Sequence, residues 1–156
     1  EKIRKLILNN KSDFNENTDL LLYMAARSEN IDIIRNSYKK KVIIIDRFTD
    51  STIAYQHYGM GVGINLIKTL NKYLLKNIKV DFTFLNIVNR KNLYERLKKR
   101  KSLNRYDRFN MNFYNKVQNG FIKLSKLKKN KYKLINSNLD IKNNEKLILN
   151  IIDKLI

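Results

Sequence analysis

A chain of 156 residues is long enough for one domain with a real core and too short for two ordinary ones. Hydrophobic residues at 43% and charged residues at 30% exclude a disordered tail. The lack of Cys excludes disulfides and thiolate metal sites, and a single His57 excludes an imidazole zinc cluster. No apolar run reaches bilayer length and nothing near Glu1 resembles a signal peptide, so a cytoplasmic protein without membrane contact is expected. The formal charge of +19, from 33 Lys and Arg against 14 Asp and Glu, would ordinarily suggest a polyanion partner. The Lys residues are spread along the whole chain, however, which reads as decoration of solvated faces. Only RLKKRK, Arg96 to Lys101, is dense enough to form a site by itself.

Hydrophobic period predicts the elements in order. Residues 1–8 give one or two helical turns. Thr18 reads as an N-cap followed by Asp19, and Leu21, Leu22, Ala25, Ala26 and Ile33 carry a helix to about Tyr38. Val42 to Ile45, four consecutive β-branched residues, predicts a strand buried on both faces. A helix is expected from Asp50 or Ser51 and another over Ile64 to Lys76. DFTFLNIV, Asp81 to Val88, predicts a second strand, and helical pattern follows from Lys91 to about Arg100 and from about Arg108 to Lys128. YKLIN, Tyr132 to Asn136, predicts the third strand, and Asn143 to Leu155 a closing amphipathic helix. Strands alternating with helices imply an α/β fold with a parallel sheet in a single domain over residues 1–156.

Ligands of open parallel sheets bind beyond the carboxyl ends of the strands, where Asp46 and Arg47 are expected to stand. Such an Asp can hold Mg²⁺ and such an Arg can grip a phosphate; the competing reading is an ion pair that caps the strand. Tyr55 and Gln56 suit the flat face and polar edges of a nucleoside, although a Tyr here also suits a core aromatic. Tyr23 and Arg27 are four residues apart on one helical face, either as a base-reading pair or as a ring packed on an Arg stem. Arg96, Lys99, Arg100, Lys101 and Arg105 form either a loop that closes over phosphates or a solvated basic face. His57 reads as a surface or packing residue.

The order of these blocks is more specific than any one of them. TDLLLYMAARSENI, VIIIDRFTDSTIAYQHYGMGV, VDFTFLNI, RLKKRKSLNRYDRF and FYNKVQNGFIKLS together resemble the bacterial thymidylate kinases along essentially the whole chain. The second block is similar to the family's DR(Y/H)xxSxxAYQGxGRG motif. The resemblance implies a P-loop nucleoside monophosphate kinase-like fold, a parallel sheet flanked by helices. It implies ATP-dependent phosphorylation of dTMP to dTDP with Mg²⁺ as cofactor, ATP as donor and a homodimer as the assembly, without nucleic acid or membrane as partner. Asp46 would then help organise Mg²⁺ and the phosphates, and Arg47 would bind the dTMP phosphate. Tyr23, where the family usually has Phe, would stack on thymine, and Arg27 would contact the base. Ser51 and Gln56 would line the nucleotide site, and Tyr55 would crowd the sugar 2′ position. Residues 96–108 would form the lid, with Arg96, Arg100 and Arg105 as catalytic candidates.

The sequence departs from that pattern in three places. His57, Tyr58 and Met60 replace parts of QGxGRG, and Asn86 stands where the family's strand usually has Asp. GxxxxGK[ST], the loop whose N–H groups cradle ATP phosphates, occurs nowhere in the 156 residues. The expectation is therefore an N-terminally truncated member lacking its first two strands and inactive alone. A kinase with another acceptor is the alternative within enzymes, separated by comparing dTMP with thymidine. A basic nucleic-acid-binding module is the alternative outside them, separated by salt-dependent oligonucleotide binding.

Overall fold

The computed structural model describes residues 1–38 and 40–156. Its residues fall into two compact units. The first comprises residues 1–79 and 103–124, the second residues 80–102 and 125–156.

The first unit is helical. It contains α1 (Lys2–Leu8), α2 (Glu16–Ser37), the single turn α3 (Thr49–Thr52) and α4 (Ile64–Leu75). Its last helix is α6 (Met111–Leu127), whose residues up to Leu124 belong here. The N-cap of α2 is Asn15 rather than Thr18: the Asn15 side chain accepts from the Thr18 N–H at 2.8 Å, so the helix begins one turn earlier than the apolar pattern indicates. On α2 the buried residues Leu20, Met24 and Ile31 follow helical spacing and turn one face inwards. Leu20 and Met24 meet Val62 and Ile67 in one apolar cluster, while Ile7, Ala54, Tyr106, Phe113 and Val117 form another.

Residues Ile53–Gly59 continue α3 as a π-helical segment, with wider turns than the regular helix expected there. This segment lies close to α6. A Cβ on Gly59 would come within 2.6 Å of the Phe113 ring, and one on Gly120 within 2.5 Å of the Tyr58 ring. Glycine at both positions lets backbone and aromatic ring approach at distances any side chain would forbid.

The predicted strand at Val42–Ile45 does not form. The segment is unpaired, with Val42 64% and Ile44 86% exposed. A strand is defined by its ladder, and no neighbouring backbone offers one among the described residues. β-Branched composition sets the dihedral preference but cannot supply the partner.

The second unit holds the sheet. Strands β1 (Thr83–Ile87) and β2 (Tyr132–Asn136) pair in parallel, with Leu85 opposite Leu134 and Asn86 opposite Ile135. Leu85 and Ile135 are buried. The helices are α5 (Arg90–Lys98), capped by Asn89, and α7 (Ile141–Ile152), capped by Asp140. Parallel strands in a chain that is helical before, between and after them give the expected α/β class, with two paired strands in place of three.

Candidate functional site

One stripe of α2 carries the first half of the site. Asp19, Tyr23 and Arg27 succeed one another at intervals of four and so lie on one side of the helix. Arg27 is held at both ends of its fork: Nη1 donates to Asn71 Oδ1 at 2.8 Å, and Nη2 donates to Thr52 Oγ1 at 2.7 Å and to the Phe48 carbonyl at 3.2 Å. Its guanidinium carbon also stands 5.4 Å from the Phe48 ring centroid. Burial lowers the Arg27 pKa to about 10, opposed by the nearby Asp50 charge, and the group remains cationic at neutral pH.

The second half comes from residues 46–56. Arg47 has φ +60°, the left-handed region that a residue with a Cβ rarely occupies. That turn precedes α3 and sets the Arg47 guanidinium 5.0 Å from the Tyr55 ring centroid. Asp46 and Arg47 are both exposed, which contradicts a position at the end of a buried strand. Ser51 is half-buried, and its N–H bonds the Phe48 carbonyl at 3.1 Å as the turn begins.

Beneath these residues lies a buried polar cluster. Gln56 Nε2 donates to Asp19 Oδ2 at 3.1 Å and to the Tyr106 oxygen at 3.2 Å, and the Tyr106 hydroxyl donates to the same Asp19 oxygen. Burial, the Tyr23 hydroxyl and Asp19 together push the Tyr106 pKa well up; burial is the main cause of a smaller rise at Tyr23. Both phenols stay protonated at neutral pH and serve as hydrogen-bonding groups. The Tyr106 ring meets Tyr23 and Tyr55 edge-on, at centroid distances of 6.0 and 5.8 Å.

The three lid arginines differ in their surroundings. Arg105, in the first unit, donates from Nη1 to Asp19 Oδ1 at 2.5 Å and from Nη2 to the Phe14 carbonyl at 2.9 Å. Arg96 and Arg100 are exposed in the second unit, where Arg96 donates to the Ser137 carbonyl at 2.5 Å. At the carboxyl end of β1 and β2 the same unit has an open groove of about 380 Å³ lined by Ile87, Leu134, Ile135, Asn136 and Asn138. Among the described residues no group of three or more Asp, Glu or His could hold a metal by itself. Asp46 offers one exposed carboxylate, which fits Mg²⁺ only in the manner of sites completed by water and nucleotide phosphates.

The structure thus gathers Tyr23, Arg27, Arg47, Tyr55 and Gln56 within one unit. Four residues of that arrangement escaped the sequence reading: Asp19, Thr52, Asn71 and Tyr106. Asp19 had a visible signal, its four-residue offset from Tyr23 and eight from Arg27. Asn71 and Tyr106 lie 44 and 87 residues from the groups they bond, and no local pattern reports such pairings.

A parallel β pair in a chain that is helical before, between and after it is the class of an α/β protein. The family model described as thymidylate kinase matches residues 1–148. A thymidylate kinase of Thermosipho africanus is 36% identical over 83% of this chain, and one of the Wolbachia pipientis strain wMel is 37% identical over 99%. The crystal structure of thymidylate kinase from Ehrlichia chaffeensis superposes with a TM-score of 0.68 at 31% identity, over 93% of this chain and 68% of that one. The chain belongs to the thymidylate kinase family. It spans 65% of the length of the Thermosipho protein and 76% of the Wolbachia one. No helix among the described residues is long and apolar enough to cross a membrane.

Proposed function

We propose that the whole protein moves the γ-phosphoryl group of ATP onto a phosphate oxygen of dTMP, giving dTDP and ADP, and that these residues supply its acceptor side. The single observation behind this reading is the convergence of Tyr23, Arg27, Arg47 and Tyr55 in one unit. Tyr23 stacks on the base and Arg27, already fixed by Asn71 and Thr52, reads it. Arg47 binds the acceptor phosphate with a planar fork, and Tyr55, beneath it, crowds the 2′ position of the sugar. Ser51 lines the same site, and Gln56 supports it from below.

Phosphoryl transfer needs positioning and charge neutralisation more than a protein nucleophile. Asp46, together with the nucleotide phosphates, would hold Mg²⁺, which would supply part of that neutralisation. By the family resemblance, Arg96 and Arg100 of the lid at about residues 96–108 are the further candidates for that neutralisation. Arg105, catalytic by resemblance, is engaged with Asp19, so a role at the phosphates would require it to exchange that partner. A homodimer acting in the cytoplasm, in the supply of thymidine nucleotides, completes the reading.

The test is a coupled assay of ADP release from the intact protein with ATP and Mg²⁺, comparing dTMP with thymidine as acceptor. Turnover with dTMP is expected, and turnover with thymidine alone would refute the acceptor assignment. Arg47→Ala is expected to lower kcat/KM for dTMP by about 10²-fold or more, as for other groups that hold a reacting phosphate. A polypeptide of only these 156 residues, which contain no GxxxxGK[ST], is expected to form no dTDP.

A further inference from the structure

The family resemblance places residues 96–108 in one lid, yet the segment is divided between the two units: residues 96–102 belong to the second and 103–108 to the first. The part in the first unit is tied down from end to end. Asn10 Nδ2 donates to the Leu103 carbonyl at 2.7 Å, and the Tyr114 hydroxyl donates to the Tyr106 carbonyl at 2.9 Å. Between them Asn104 and Asp107 cap the short turn Arg105–Arg108 reciprocally: the Asn104 side chain accepts from the Tyr106 N–H at 2.8 Å, and Asp107 Oδ2 from the Asn104 N–H at 3.1 Å.

Arg105 adds a charged tie to these. Nη1 donates to Asp19 Oδ1 at 2.5 Å, Nη2 donates to the Phe14 carbonyl at 2.9 Å, and the guanidinium carbon stands 5.4 Å from the Phe14 ring centroid. Asp19 is fully buried and the Arg105 side chain is only 13% exposed. Gln56 and the Tyr106 hydroxyl also donate to Asp19, but both are neutral, so Arg105 supplies the balancing charge. A guanidinium that left for a phosphate would abandon an unpaired buried carboxylate, which is strongly unfavourable. The pair is built to stay closed.

What it holds in place is the next residue. The Tyr106 ring is nearly buried and stands edge-on to Tyr23 and Tyr55, at centroid distances of 6.0 and 5.8 Å. Those are the two rings read as meeting the base and the sugar. A shift of the turn that carries Tyr106 would move the surface against which both rest.

We propose that Arg105 is a positioning residue rather than a catalytic one: its ion pair with Asp19 anchors residues 103–108 as a fixed part of the acceptor site and seats Tyr106 against Tyr23 and Tyr55. The lid implied by the resemblance is then confined to residues 96–102. This role rests on the proposed dTMP reading.

The experiment is a double-mutant cycle on Arg105→Gln and Asp19→Asn in the intact protein, with kcat and the KM for dTMP from the coupled assay at saturating ATP and folding from melting curves. Arg105→Gln leaves Asp19 unbalanced and is expected to raise the KM for dTMP about tenfold, with kcat lowered about threefold at most. The double variant buries no charge and keeps two amides able to bond each other. It is expected to melt above Arg105→Gln and to return the KM for dTMP to within about threefold of wild type. Such rescue is open only to an anchor, because an arginine that neutralises the moving phosphoryl group is missing from both variants alike. The proposal is overturned if both variants lose kcat about 10³-fold with the KM for dTMP unchanged, the loss that follows removal of an arginine acting on the transferred group. Should Arg105→Gln not fold, the double variant decides alone. A wild-type protein that does not turn over dTMP would remove the acceptor reading and this role with it; one that does, with an unrescued double variant, would remove only the role of Arg105.

Discussion

Val42–Ile45 and Thr83–Ile87 are both short apolar runs flanked by charge and polar residues, and the first is the richer in β-branched side chains. Yet Thr83–Ile87 pairs in register with Tyr132–Asn136, while Val42–Ile45 stays unpaired, with Val42 and Ile44 exposed. Intrinsic preference would rank them the other way round. What separates them is a second backbone at hydrogen-bonding distance, because a strand gains its stability from ladder bonds and cross-strand contacts rather than from its own dihedral angles.

Amide hydrogen exchange gives the sharpest measure of that contrast. Ladder amides of β1 and β2 are expected to exchange about 10³-fold more slowly than those of Val42–Ile45, since ladder bonds open only with the surrounding unit. Slow exchange at Val42–Ile45 would reveal a backbone partner there and break the comparison. Next in size is Ile135→Ala, at a position 1% exposed, which is expected to cost about 2–5 kcal/mol in urea unfolding followed through signals of the second unit. The smallest effect is expected from Ile44→Ala. At 86% exposure the side chain leaves no cavity when removed, and the change should lie within about 0.5 kcal/mol. A larger loss would mean that Ile44 is buried in solution and that the two runs differ less than their exposures imply.

Arg27 shows how far the sequence reaches into the site. Its four-residue offset from Tyr23 puts both on one helical face, and they do lie on one stripe of α2. The fork of hydrogen bonds that aims the guanidinium comes from Thr52 and Asn71, 25 and 44 residues away, which periodicity within α2 cannot report. Asp19 is the reverse case. Its position suggested a first-turn acid near a helix cap, whereas a complete absence of exposure and three donors make it the centre of a polar cluster. For Arg105 the basic run suggested a lid, and the chain folds it against that same buried acid.

From the sequence alone follow the α/β class, the run of helices, strands within Asp81–Val88 and at Tyr132–Asn136, and the motif order that marks the family. These are properties of period and local spacing, which neighbouring residues determine. Only the tertiary structure decided that Arg47 would adopt a left-handed turn over Tyr55 and that Asp19 would face Tyr106 across 87 residues. Each depends on a group brought close by the fold, and a hydrogen bond or ring contact acts only at the distance that folding creates.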